Sequence, residues 1–468
     1  MLFNSLDFAL FFPLVFLCYW FVFNKNLRVQ NAFLLLASYF FYACWDWRFL
    51  FLLAFSTLVN YYFGLAIARN ELKKRKLLLI AGIIINAGLL GYFKYFNFFV
   101  ESFADIFSVF GYRFNFTALH ILLPLGISFY TFQNISYITD VYRRQSLAQE
   151  NLLSFSLFIA FFPQLISGPI ARENQLMPQI NRLRVFNYTL AVNGMRMILL
   201  GLFEKMVIAD NCAIIVNRVY GDFEAHSGST LFFSAVVYSF QIYGDFSGYS
   251  HLAIGSAALL GIQLRDNFNY PYLAKNIADF WRRWHISFSG WLRDYIYFPL
   301  GGSKRGNLIQ IRNLAIVFIF SGIWHGANWT FVVYGCIHAF LYILYVYYRK
   351  FFGSEKETVL GNCIAIFSTF TVLTLARVFF RAQSVPEALT YLRLICNSSL
   401  FTKPDMSRLM LVLLLLYVGL EWLQRDKRHL LDISFIKSVW IRYLIYLAVA
   451  FSVFYFAGES GSFVYFKF

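Results

Sequence analysis

The chain has 468 residues, 59% hydrophobic and only 14% charged, with a formal net charge of +16 and a mean hydropathy of +0.59. A soluble domain carries about 25% charged residues, so this composition argues against a water-solvated globule and for lipid as the solvent. The basic residues are spread among short loops, as on the cytoplasmic side of a polytopic membrane protein, which argues against nucleic-acid binding.

Residues 8–23 are uncharged and are followed, not preceded, by Lys25 and Arg28. A cleavable signal peptide places its positive charges first. The segment is therefore read as a membrane pass with the N-terminus outside and Lys25 and Arg28 in the cytoplasm. Passes at 31–45 and 49–67 return the run Lys73-Lys74-Arg75-Lys76 to the cytoplasm, the first being short enough for a re-entrant hairpin. Residues 77–93 are again uncharged. In 161–170, Pro163, Gly168 and Pro169 interrupt an apolar run. Proline removes a backbone donor and crowds the preceding turn, so this stretch is either a kinked span or a broken helix lining a cavity.

The block 313–348 has no Asp, Glu, Lys or Arg. As helix it is about 54 Å long at 1.5 Å per residue, against a hydrocarbon core of about 30 Å. It holds two passes, or one pass and a re-entrant piece. The expected fold is an all-α polytopic membrane protein with roughly 10–13 transmembrane or re-entrant helices, at ~20 residues per span. The polar stretches at 172–187, 218–229, 301–312 and 352–358 are loop-sized. The chain 1–468 is thus one membrane domain without an internal repeat, and any chemistry occurs in or at the bilayer. The six cysteines form no C-x-x-C pair and are read as small buried residues.

Three clusters carry the polar chemistry. Asp245 lies in Gln241-Ile242-Tyr243-Gly244-Asp245-Phe246-Ser247-Gly248-Tyr249-Ser250-His251. A carboxylate within a span is unfavourable unless paired or hydrated, so Asp245 either serves the site or holds an arginine or a helix terminus. In residues 280–295, a continuous helix would place Trp281, Trp284, Phe288 and Trp291 on one face, with Arg282, Ser289 and Arg293 on another. That pattern suits an interfacial or re-entrant helix, which has no need of His285 at the boundary between the two faces. The third cluster is Gly322-Ile323-Trp324-His325-Gly326-Ala327-Asn328-Trp329. His325 falls ~20 Å beyond Arg312 along an unbroken helix. At that depth an imidazole is held neutral, the form a general base needs, though a polar helix–helix contact is the plainer reading. His338 fits such a contact as well. No metal-ligand spacing, nucleophile elbow or Walker loop is present.

Taken together, these clusters resemble the membrane-bound O-acyltransferase family, in its bacterial polysaccharide-modifying branch. That branch includes the alginate O-acetylation membrane protein and, more distantly, the teichoic-acid D-alanine transferase. The resemblance runs over nearly the whole chain. It includes Phe3-Asn4-Ser5, Phe11-Phe12-Pro13, Ala37-Ser38-Tyr39-Phe40-Phe41-Tyr42-Ala43, Gly91-Tyr92-Phe93-Lys94-Tyr95, the run 123–132, Phe162-Pro163 and Ser167-Gly168-Pro169-Ile170. The family's Trp-His-Gly histidine maps onto His325, and its Trp-x-x-Trp-His-x-Ser position maps onto His285.

The resemblance implies a central tunnel, with acetyl-CoA as cytoplasmic co-substrate and no bound cofactor or metal. His325 would be the general base and His285 would orient the acceptor or stabilise charge, with Asp245, Arg282, Trp324 and Asn328 organising the site. It implies a multi-pass protein of the bacterial inner membrane. The expected partners are an extracytoplasmic acetyltransferase protein, a polysaccharide acceptor and membrane lipid, with no nucleic acid. Transfer of D-alanyl or another acyl group from a carrier protein, and non-catalytic transport of an acyl carrier or lipid, are the alternatives.

Overall fold

The computed structural model describes residues 1–112, 121–353 and 358–456, and all regular structure among them is helical. Among the described residues five helices are long and apolar enough to cross a membrane: Arg48–Arg69, Leu72–Ser108, Asn307–His325, Trp329–Phe352 and Val359–Arg381. Leu6–Val22 and Val439–Tyr455 are shorter apolar helices. This is a multi-pass all-α membrane protein. Of the polar stretches expected in loops, 352–358 falls largely on residues 354–357, outside the described ones.

The contacts divide the chain into two compact units, the first formed by 1–192 and 256–264 and the second by the remaining described residues. The first unit contains α1 (Leu6–Leu17), α2 (Leu27–Ala43), α3 (Arg48–Arg69), α4 (Leu72–Leu90) and α5 (Phe96–Val109). These are followed by α6 (Ile127–Tyr142), α7 (Leu152–Ala160), α8 (Phe162–Leu165) and α9 (Glu173–Ile180). Side-chain caps start several of them: Ser5, Asn26 and Asn151 accept from the backbone N–H groups of Phe8, Arg28 and Ser154. Along α4 and α5 only 11% of the most apolar window is buried, as suits a lipid-facing surface. By contrast, α6 is buried almost throughout and forms the centre of this unit.

The proline-rich stretch is a broken helix. The first helix ends at Ala160, Phe161 is extended, and Pro163 sits in the first turn of α8. Residues 154–171 are all buried, so irregular backbone is enclosed by protein as a bilayer requires. Neighbouring side chains take up the freed backbone groups. Phe162 N donates to Ser38 Oγ at 3.1 Å, while Gln133 and Gln164 each donate to Phe158 O at 2.9 Å.

The second unit takes over within α10 (Tyr188–Leu202), which passes through a wide π-type turn at Phe203–Ala209 into α11 (Asp210–Gly221). It continues with α12 (Gly228–Leu259), α13 (Ile277–Arg283), α14 (Ile286–Leu292), α15 (Asn307–His325) and α16 (Trp329–Phe352). Next come α17 (Val359–Arg381), α18 (Val385–Ile395), α19 (Arg408–Leu423) and α20 (Val439–Tyr455). The uncharged block therefore resolves as two passes, α15 and α16, joined at Gly326–Asn328. The two pack closely because a side chain at Gly335 would strike the backbone of Phe318 and Ile319. Helix α10 and the wide turn after it pack on α12 by the same means: a Cβ on Gly248 would lie 2.8 Å from Gly201 O, and one on Gly244 would lie 2.8 Å from Glu204 O.

Two sequence expectations are corrected. The tryptophan-rich segment is two seven-residue helices rather than one, because Trp284 is extended and His285 is left-handed at φ 45°. Tertiary hydrogen bonds replace the helical ladder there: Asn269 N donates to Arg283 O and Ile286 N to Asn267 O. Of the six cysteines, all free thiols, only Cys212 is buried. Cys336 and Cys363 are exposed on spanning helices, where the solvent is lipid and a thiol gains little from burial in protein.

Candidate active site

His285 and His325 occupy one aromatic cluster of the second unit. His325 ends α15 and is 3% exposed; His285 is fully buried between α13 and α14. The His285 ring lies 4.9 Å from Phe288 and 5.7 Å from Trp324, measured between centroids. The His325 ring lies 6.0 Å and 4.9 Å from the same two side chains. The separations through Trp324 therefore bound the distance between the two imidazole centres at about 10.6 Å. Phe380 and Tyr334 complete the wall around His325, at 5.1 and 6.4 Å.

His285 is held in one tautomer by Asn267, a residue the sequence reading did not single out. Asn267 Oδ1 accepts from Ser287 N at 3.2 Å and from Ser287 Oγ at 2.9 Å, which fixes it as the amide oxygen. The 3.2 Å contact from His285 Nδ1 to the same oxygen must therefore be donated by the ring. Nε2 is left with its lone pair, buried, and with no hydrogen-bond partner among the described residues. The ring belongs to neither spanning helix, and burial alone pushes its pKa from 6.5 down to about 3. A neutral imidazole oriented through one nitrogen presents a fixed hydrogen-bond acceptor at the other.

Asp245 is paired, with a lysine rather than with an arginine or a helix terminus. Its carboxylate accepts from Lys205 Nζ at 2.7 Å, and the same ammonium reaches Asp210 at 2.8 Å, with Lys205 1% and Asp245 2% exposed. The wide turn at Phe203–Ala209 presents Lys205 to α12, in keeping with the recurrence of such turns at functional positions. On the same turn Glu204 meets His251 Nδ1 at 2.7 Å and accepts from Tyr417 Oη at 3.0 Å. The adjacent pair Glu204-Lys205, flanked by apolar residues, is the signal by which the sequence could have revealed this network.

The other expected residues divide. Trp324 is buried and stacks on Phe288 at 4.2 Å, inside the cluster. Arg282 is 73% exposed and pairs with Asp279 at 3.3 Å, so the structure does not bring it to the histidines. Asn328 caps α16 through Thr330 N and donates to Gln383 O at 2.9 Å, which supports the turn after His325. His338 makes the expected polar contact, accepting from Trp281 Nε1 at 3.3 Å. Among the described residues no group of His, Cys, Asp and Glu is arranged to hold a metal ion.

Residues 144–380, which contain this cluster, match the model of the membrane-bound O-acyltransferase family. The chain is 39% identical over 390 residues to the probable alginate O-acetylase AlgI of Pseudomonas aeruginosa, covering 83% of this chain and 73% of that protein. The chain belongs to the membrane-bound O-acyltransferase family. A peptidoglycan O-acetyltransferase of Helicobacter pylori is 38% identical over 427 residues, 84% of this chain and 79% of that protein. The teichoic acid D-alanyltransferase of Bacillus subtilis is 33% identical over 239 residues, 48% of this chain and 60% of that protein. As a family member the protein is an enzyme, a membrane-bound acyltransferase.

Proposed function

We propose that this acyltransferase carries an acetyl group from cytoplasmic acetyl-CoA across the bacterial inner membrane for O-acetylation of an exported or cell-surface polysaccharide. The observation that carries this reading is the pair of buried histidines sharing Phe288 and Trp324, in a chain whose acetylating relatives align over four-fifths of its length. The D-alanylating relative aligns over 48% of the chain, which favours acetyl over D-alanyl.

In this mechanism His325 removes the proton from an acceptor hydroxyl as its oxygen attacks the thioester carbon. His285 Nε2, a fixed acceptor, holds a neighbouring O–H or N–H of the substrates. Lys205 and Asp245 keep α10 and α12 in register behind the site. An extracytoplasmic partner protein delivers the acetyl group to the polymer. The hydrogen bond between Asn267 and His285 favours a second assignment, in which His285 is the base and His325 orients the acceptor.

The test uses membrane vesicles from cells expressing the chain, supplied with radiolabelled acetyl-CoA. Release of CoA with transfer of label to polymer is expected, and His325→Ala should abolish it while His285→Ala leaves a residue. The reverse ranking selects the second assignment. Intact thioester with the wild-type protein refutes acetyl-CoA as donor, and transfer from a D-alanyl carrier protein in the same vesicles would replace it.

A further inference from the structure

Arg377, on α17, is 2% exposed and no carboxylate pairs with it among the described residues. Among the described residues its hydrogen bond runs from Nη1 to Ser239 Oγ at 3.4 Å, and Nη2 is buried without a partner. Three aromatic faces surround the guanidinium carbon: Tyr272 at 4.9 Å, Trp284 at 5.3 Å and Phe280 at 5.4 Å. Two other buried arginines also leave one nitrogen unpartnered but are held by closer acceptors: Arg184 donates to Tyr19, Asn31 and Ile180 O, and Arg75 donates to the carbonyls that end α6. Aromatic faces attract a cation without neutralising it, so Arg377 keeps donor capacity that the fold does not use.

His338 adds a second unused donor to the same aromatic group. It is 1% exposed, and its ring lies 6.5 Å from Phe280. Its Nδ1 accepts from Trp281, so in the neutral ring the hydrogen sits on Nε2, which is buried and has no partner among the described residues. Both donors adjoin the histidine cluster. Tyr334 touches His338 at 4.3 Å and His325 at 6.4 Å, and Phe380, three residues after Arg377, touches His325 at 5.1 Å.

We propose that Arg377, assisted by His338, holds the carbonyl oxygen of the acyl donor and stabilises the negative charge that develops on it. This rests on the acyl-transfer reading above. One guanidinium and one neutral imidazole, walled by aromatics, suit a single oxygen carrying a single transient charge. A phosphate or pyrophosphate would bring more charge than these two buried donors can balance. His285 cannot supply such a donor, because its unpartnered nitrogen carries a lone pair and can only accept.

The step balances as follows. The acceptor oxygen bonds to the thioester carbon as His325 takes its proton, and the carbonyl π pair moves onto the oxygen facing Arg377 and His338. Collapse restores the C=O bond and breaks the C–S bond, and the departing thiolate takes the proton back from His325.

The test compares kcat and KM for acetyl-CoA, read as CoA release in the same vesicles, for wild type, Arg377→Met and Arg377→Lys. Loss of an oxyanion donor lowers kcat by roughly 100- to 1000-fold with little change in KM. Arg377→Met should show that pattern, and Arg377→Lys, which keeps the charge but not the planar fork, should lose at least about 10-fold. A raised KM with kcat retained would indicate a ground-state anion and overturn the proposal. So would unchanged kinetics in a folded variant, the result of a purely structural role. If Arg377→Met does not fold, Arg377→Lys decides by the same criteria. A wild-type protein that releases no CoA would refute the acyl-transfer reading instead.

Discussion

Asn267 and His285, 18 residues apart, are joined by a 3.2 Å hydrogen bond in which the imidazole Nδ1 donates to the amide oxygen. The same asparagine fixes the backbone beside the ring, through Ser287 N to Oδ1 and Ile286 N to its carbonyl. One buried residue therefore sets both the tautomer and the left-handed backbone of His285.

Substituting Asn267 should test this directly. Asn267→Ala leaves Nδ1–H and Ser287 N without their acceptor. Turnover should fall by about 10- to 100-fold, by analogy with the loss of partners that orient metal-binding histidines. Asn267→Asp keeps the acceptor and should retain more activity than the alanine variant. Initial rates at saturating acetyl-CoA rank the two.

Acid should weaken the fold through His285. Its ordinary pKa is 6.5 and burial lowers it to about 3 in the folded protein. Between these values the unfolded chain binds a proton that the folded chain does not, so stability falls as pH drops below 6.5 and is unaffected by this group above it. The slope is at most about 1.4 kcal/mol per pH unit. Thermal unfolding in detergent at pH 7 and pH 5 should show a larger loss for wild type than for His285→Asn.

Lys205 bridges two carboxylates, and its removal should be worse than removal of either of them. Lys205→Met removes the ammonium that bridges Asp210 and Asp245. Removing one member of a buried pair destabilises by about 3–5 kcal/mol. The double variant Lys205→Met with Asp245→Asn should recover part of that loss, read as the midpoint of thermal unfolding.

Arg282 offers the opposite expectation. With its side chain 73% exposed and its ion pair at the surface, Arg282→Ala should change stability by no more than about 0.5 kcal/mol. Acetyl transfer should stay within twofold of wild type. A severe loss of activity would mean that Arg282 meets a substrate or partner.

These contrasts show what a linear sequence discloses. The uncharged block was legible as two passes, or one and a re-entrant piece, because hydropathy is additive along the chain, and His325 stood out because an imidazole within such a block is conspicuous. The break at Trp284–His285 was not. The regular spacing of Trp281, Trp284, Phe288 and Trp291 describes a helix, and only hydrogen bonds from Asn267 and Asn269 interrupt it. Arg377 was missed because an arginine near the end of an apolar segment usually reaches the interface. Its cage of Tyr272, Phe280 and Trp284 comes from a segment about 100 residues earlier in the chain. The bridge from Lys205 to Asp245 depends on glycine contacts between α10 and α12 that hydropathy does not register.

The broken segment around Pro163 has a consequence for biosynthesis. Its freed amide and carbonyl are taken up by Ser38 and Gln133, both of which leave the ribosome before it does. A nascent chain therefore has its substitutes for water already in the bilayer when the irregular stretch arrives. Reversing that order by circular permutation would deliver the stretch to lipid first, and such a permutant should be degraded even though every native contact remains available to it.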